Sequence, residues 1–107
     1  MDHAYYAVIF TSTKRDDAQG YDEMAEAMAS LAREQPGFLG YESARGADGL
    51  GITVSYWKSE ADIRAWKQNA DHRVAQEKGK ALWYSSYTIR VCRVEREYGK
   101  DQTQSQG

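Results

Sequence analysis

From Ala4 to Thr13 the chain reads AYYAVIFTST, and both of its alternating residue sets are apolar. Tyr6, Val8 and Phe10 fall on one side; Tyr5, Ala7 and Ile9 fall on the other. β-Branched and aromatic residues at period two make this a strand. A strand with two apolar faces belongs inside a sheet and needs cover on both sides. With 107 residues and 12.1 kDa, the chain is about one domain long. It folds to roughly 6,000 Å² of surface from roughly 17,500 Å² unfolded, enough for one core. Cover for both faces must therefore come from economical means.

The rest of the chain alternates in type. Lys14 to Gly20 is a polar loop, after which Tyr21, Met24, Ala25, Met28, Leu31 and Ala32 recur at helical spacing, opposite Asp22, Glu23, Glu26 and Arg33. Pro36 removes a backbone donor and restricts Gln35, so Gln35-Pro36-Gly37 stops the helix. Phe38 to Arg45 is a second strand, Ala47-Asp48-Gly49 a hairpin turn, and Leu50 to Trp57 the returning strand. Ser59 and Asp62 resemble a capping box at the start of a short helix, with Ile63 and Trp66 on its inward face. A separate helical stretch is expected from about Asp71 to Leu82, weakened near its end by Gly79. A long last strand runs from about Ser85 to Tyr98, with Tyr87, Ile89 and Val91 against Thr88, Arg90, Cys92 and Val94. Residues 1–98 form the domain, and Gly99 to Gly107 is a polar tail expected to be disordered.

The order β-α-β-β-α-β is that of a ferredoxin-like α+β sandwich. Two helices cover one face of its four-stranded sheet. The other face still carries Tyr, Ile, Val and Trp, a patch too apolar for water. A second copy of the chain is expected to cover it, making a homodimer.

Composition narrows the function classes. Lys and Arg number 14 against 16 Asp and Glu, a formal charge of −2 with signs mixed along the chain, which argues against nucleic acid as a partner. A mean hydropathy of −0.79 and the lack of a long apolar run argue against a membrane span. The opening MDHAYYAVIF has neither the basic segment nor the cleavage site of a secretory leader, so the cytoplasm is the expected compartment. Cys92 is the single cysteine and is expected to be an inert buried one. Two distant histidines, no acidic cluster at ligand spacing and no glycine-rich phosphate loop suggest neither a metal nor a nucleotide cofactor. Eight Tyr and three Trp stand against two Phe, so most aromatic surface carries a polar handle. Such surface suits a subunit interface or a pocket for a small planar aromatic ligand.

Three segments carry a resemblance. Pro36-Gly37-Phe38-Leu39-Gly40-Tyr41 resembles the turn after the first helix in antibiotic-biosynthesis-monooxygenase-like proteins. Tyr56-Trp57-Lys58-Ser59-Glu60-Ala61 is similar to that family's W-x-S-x-E-A segment. Trp66, Asp71-His72, Ala75-Gln76, Gly79 and Trp83-Tyr84 resemble one branch of it. The likeness spans roughly residues 4–98. It implies a dimeric α+β barrel of two ferredoxin-like subunits, with a cavity between sheet and helices in each. It also implies oxidation of aromatic polyketides, quinols or haem without a flavin or added metal. Trp57 matches the tryptophan lining the polyketide cavity. The family's Asn four residues earlier is Thr53 here, and its Tyr six residues later is Ile63. Trp66 fits the helix tryptophan of haem-degrading relatives, but Gln76 stands where their haem-ligating His would be, and the first strand has no Asn.

The candidate site follows. His72 has the right ordinary pKa to take a phenolic proton; the plainer role is a histidine at a helix start. Arg90, mid-strand among apolar neighbours, would hold a developing oxyanion or an interfacial ion pair with Glu42 or Glu95. Trp57, Trp66 and Trp83 would wall the ligand or pack the core. Tyr87 and Tyr6 would bond it or pack at the dimer. Two functions are open: a cofactor-independent monooxygenase acting on a small aromatic or quinol, and a non-catalytic dimer that binds a small molecule or assembles.

Overall fold

The computed structural model describes residues 4–16, 21–76 and 84–100, with only the backbone of 71–76. The elements are β1 (Tyr5–Lys14), α1 (Tyr21–Arg33), β2 (Phe38–Arg45), β3 (Leu50–Trp57), α2 (Glu60–Gln76) and β4 (Tyr84–Val94). They form one sheet in the order β2-β3-β1-β4, every neighbouring pair antiparallel. The doubly apolar β1 is indeed an inner strand, and the architecture is the ferredoxin-like α+β sandwich.

Register assigns the faces. Tyr6 lies opposite Trp57, Phe10 opposite Thr53 and Ile89, and Ser12 opposite Gly51 and Tyr87. This set faces the helices: Trp57 stacks on Trp66 of α2, and Phe10 meets Tyr84, which meets Tyr21 of α1. Tyr5, Ala7, Ile9, Ile52, Val54, Tyr56, Arg90, Cys92 and Val94 alternate onto the outer face. There Leu50 and Ile52 keep nearly half of their surface exposed.

Local chemistry places the turns. Gly49 takes φ 91° in the hairpin, and Asp48 Oδ1 accepts from the Leu50 amide at 3.1 Å. Gly37 adopts φ 83°, and its carbonyl accepts from the Lys58 amide at 2.8 Å, tying the end of α1 to the entry of α2. A Cβ at Gly37 would lie 2.0 Å from Asp62 Oδ2, so no larger residue fits there. The Ser59 cap departs from a true capping box. Its Oγ accepts from the Asp62 amide at 3.1 Å but donates to Asp62 Oδ2 at 2.9 Å, because aspartate is one methylene too short to reach back to the Ser59 backbone.

Two expectations change. The helix expected to restart at Asp71 is continuous with the one before it, from Glu60 to Gln76. No Gly or Pro interrupts residues 60–76, and the alanines sustain the helix. His72 therefore lies well inside α2 rather than at a helix start. The last strand ends at Val94 instead of Tyr98, because β1, its neighbour among the described residues, begins at Tyr5, the partner of Val94. Gly79, Leu82, Trp83 and most of the tail lie outside the described residues.

Candidate active site

The helix face carries two aromatic clusters. The first sits at the β3–α2 junction. Trp57 has no exposed surface. Its ring stacks on Trp66 at 5.9 Å and meets Phe38 edge-on at 5.4 Å. Its Nε1–H donates to Ser55 Oγ at 2.9 Å. Every part of Trp57 is thus committed to the protein, whereas Trp66 is half-buried. Ile63 is also buried in this cluster's helix.

The second cluster joins β1, β4 and α1. Phe10 lies 5.2 Å from Tyr84 and 5.6 Å from Tyr87; Tyr84 lies 5.8 Å from Tyr21. Met24, one of two buried residues of α1, packs against Tyr21, Met28 and Tyr84. Along β4, Tyr87, Ile89 and Val91 face the helices yet remain 44%, 39% and 51% exposed. On the same face as the sealed Trp57 there is therefore an open apolar wall.

Arg45 is the residue that sequence reasoning missed. It ends β2 and lies across Gly51, where an added Cβ would come within 2.5 Å of its Cζ. Its Nη2 donates to Ser12 Oγ at 2.7 Å and to the Tyr21 hydroxyl at 3.2 Å. Its Nη1 donates to the carbonyls of Ser12 (3.3 Å) and Gly49. Its Cζ also stands 5.5 Å from the Tyr21 ring and 6.0 Å from the Tyr84 ring. Burial, ahead of the neighbouring Tyr21, pushes the Tyr84 hydroxyl far above the ordinary tyrosine range; Arg45 opposes this only partly.

Of the residues expected from sequence, Tyr6, Trp57, Trp66 and Tyr87 share the helix face. Arg90 does not join them. It pairs with Ile9 on the outer face, because strand alternation separates it from Tyr87 and Ile89. An oxyanion role beside the tryptophans of the same subunit is corrected accordingly. His72 is on α2 with its side chain outside the description, and Trp83 is outside it altogether. Thr53, in the position where the related enzymes carry Asn, bonds Ser43 Oγ at 2.8 Å. Among the described residues no cluster of His, Cys, Asp and Glu is placed to hold a metal, and no helix is long and apolar enough to cross a membrane.

Residues 4–78 match the sequence model of the antibiotic biosynthesis monooxygenase family. The chain belongs to that family. The uncharacterized protein YqjZ of Bacillus subtilis is 56% identical over 93 residues, which is 87% of this chain and 82% of that protein. SnoaB, a cofactor-independent oxygenase from Streptomyces nogalater, superposes with a TM-score of 0.73 at 12% identity, over 90% of this chain and 98% of the other. MhuD, solved with two manganese protoporphyrin IX molecules per active site, gives 0.65 at 20% identity, over 89% and 99%. The antibiotic biosynthesis monooxygenase fold is thus shared with an oxygenase and with a porphyrin-binding protein. At these identities the two structures speak to fold alone.

Proposed function

We propose that this antibiotic biosynthesis monooxygenase homologue is a homodimeric, cofactor-independent oxygenase for a small hydroxyarene or quinol, bound between sheet and helices. The observation that carries the reading is the open wall of Tyr87, Ile89 and Val91 beside the Phe10–Tyr84 cluster, which offers a planar ligand an apolar face with polar handles. Trp66 would form the far side, and Tyr6 and Trp57 would support it from the sheet.

The chemistry needs little from the protein. Where the hydroxyarene is the enol of an anthrone-type ketone, its anion gives one electron to dioxygen, and the resulting pair recombines to a peroxide at the former CH₂ carbon. Loss of water converts the substrate's CH₂ to C=O, so that CH₂ and O₂ become C=O and H₂O. The site must exclude bulk water, accept the phenolic proton and stabilise the anion. His72 is the proposed proton acceptor. The exposed Leu50 and Ile52 favour a second copy on the outer face, where Arg90 would pair with an acid of the partner.

A panel of anthrones and quinols followed by oxygen uptake tests the reading. With an anthrone, one O₂ should be consumed per product, with one labelled oxygen atom in the new carbonyl. His72→Gln should bind substrate and turn it over about 10²-fold more slowly. Wild-type turnover by this variant would remove His72 from the reaction, and no uptake with any bound compound would remove the oxygenase. One observation favours the second reading, a non-catalytic binding dimer: Thr53 is engaged with Ser43 and Ile63 is buried, so neither replaces the polar groups of the related enzymes.

A further inference from the structure

Five charged residues lie within the four strands: Lys14, Glu42, Arg45, Arg90 and Arg93. Lys14 and Arg45 reach Tyr21 of α1, and Arg93 pairs with Tyr6, so these three belong to the helix face. Glu42 and Arg90 are left on the outer face, and register puts them in one row. Glu42 lies opposite Val54, Val54 opposite Ile9, and Ile9 opposite Arg90. An acid on one edge strand and a base on the other thus flank two apolar residues. With about 4.8 Å between neighbouring strands they stand about 14 Å apart, too far to meet within one subunit. On this face Arg90 has Thr88 and Cys92 beside it on its own strand and Ala7, Ile9 and Thr11 across from it, none of them an acid. Glu97 is held by the Tyr5 hydroxyl, and Tyr5 pairs with Val94, a full turn of the pleat beyond Cys92. Tyr56 steadies Glu42 by donating to Oε1 at 2.8 Å, and a carboxylate accepts several such bonds.

This row governs how a second copy can sit. Sheets packed face to face with their strands nearly aligned stand about 10 Å apart. An arginine and a glutamate reaching from opposite sides close that gap. A two-fold axis running across the strands lays each strand on its own copy, so that Arg90 can face only an arginine and Glu42 only a glutamate. An axis running along the strands exchanges the edges: β4 lies over the partner's β2, and the row falls on itself reversed. We propose that a second copy docks on the outer face about an axis along the strands, each Arg90 bonding the partner's Glu42, with Ile9 and Val54 of both chains between the two ion pairs. Side-chain size agrees. The same axis brings Tyr56 against the partner's Ala7 and Ile52 against the partner's Thr11, a large side chain on a smaller one each time. This rests on the homodimer reading and adds what that reading lacks, the orientation of the copies and the acid that Arg90 meets. Opposite charges at both ends of the row favour this packing, and like charges reject the other.

The test is the dimer dissociation constant of the full-length protein, measured by analytical ultracentrifugation. Arg90→Glu and Glu42→Arg each set like charges together at both contacts and should weaken the dimer about 10²-fold or more. An equal mixture of the two variants should recover dimers of near wild-type strength, since each mixed dimer rebuilds both pairs, one of them reversed. Arg64→Glu, on the exposed side of α2, changes the net charge equally and should leave the constant unchanged. Thermal melting establishes that each variant is folded. Should a reversal fail to fold, Arg90→Gln, Glu42→Gln and the two combined form a cycle in which the double variant loses no more than either single one; additive losses overturn the proposal. A wild-type dimer that neither reversal weakens, or a mixture no tighter than its components, overturns it and leaves the homodimer standing. Tighter dimers from Arg90→Glu mixed with wild type than from either alone overturn it in favour of an axis across the strands. A wild type that stays monomeric at millimolar concentration removes the homodimer along with the pairing, and oxygen uptake then tests the oxygenase by itself.

Discussion

Trp57 and Tyr84 are both large aromatic residues on the helix face, on strands separated only by β1, and their surroundings differ in kind. Trp57 is closed off: rings on two sides, its N–H satisfied within its own strand, no exposed surface. Tyr84 is half-buried and sits among hydroxyls and a guanidinium, next to β4 residues that face the helices without being covered. One end of the face is finished by packing and the other is held by polar contacts around open space. Aromatic content alone does not mark a site; what marks it is whether the polar handles are all spent. At Trp57 they are. Around Tyr84 they meet a guanidinium and hydroxyls, next to wall residues that stay exposed.

Truncation should separate the ends most sharply. Trp57→Ala empties the sealed cluster and should cost about 3–5 kcal/mol in urea unfolding. Since a domain of this size has only about 5–15 kcal/mol in hand, this variant should sit near the edge of folding. A loss below about 1 kcal/mol would mean that the tryptophan end is no core. Gly37→Ala strikes the same end through the backbone. It combines a positive φ with a Cβ driven into Asp62, so it should cost about 2 kcal/mol, with part of the loss recovered in Gly37→Ala/Asp62→Ala, where the carboxylate is gone. Equal losses in the two variants would assign the cost to φ alone.

The fold was legible because its signals are local. Alternation in β1, Pro36-Gly37 after α1 and Asp48-Gly49 in the hairpin each act within a few residues. The break expected before Asp71 was wrong because a weak stretch of polar residues does not stop a helix without Gly or Pro. The site was less legible, since its contacts are long-range. Arg45 reaches Ser12 and Tyr21, 33 and 24 residues away, whereas Gly51 beneath its guanidinium is simply its partner across the hairpin. Arg90 drew attention as a charge among apolar neighbours, yet the alternation that makes β4 a strand also carries it to the outer face.

The smallest expected effect concerns Tyr84, and it reads the polar end directly. Replacing it by Phe removes a half-buried hydroxyl and should cost about 1 kcal/mol near neutral pH. The pH dependence is more telling. Burial, then Tyr21, hold the folded Tyr84 hydroxyl above its ordinary value, while in the unfolded chain it ionises near pH 10. Below about pH 10 both states keep the proton and stability is unaffected by this group. Above it the unfolded chain releases a proton that the folded chain retains, so stability falls as pH rises. Tyr5 and Tyr56 are also raised, chiefly by hydrogen bonds to Glu97 and Glu42, but they lie at the outer surface and are common to both proteins. Melting temperatures followed from about pH 8 to about pH 11 should therefore drop less steeply in Tyr84→Phe than in wild type. Parallel curves would place the alkaline sensitivity elsewhere, and the polar end would then be as closed as the tryptophan end.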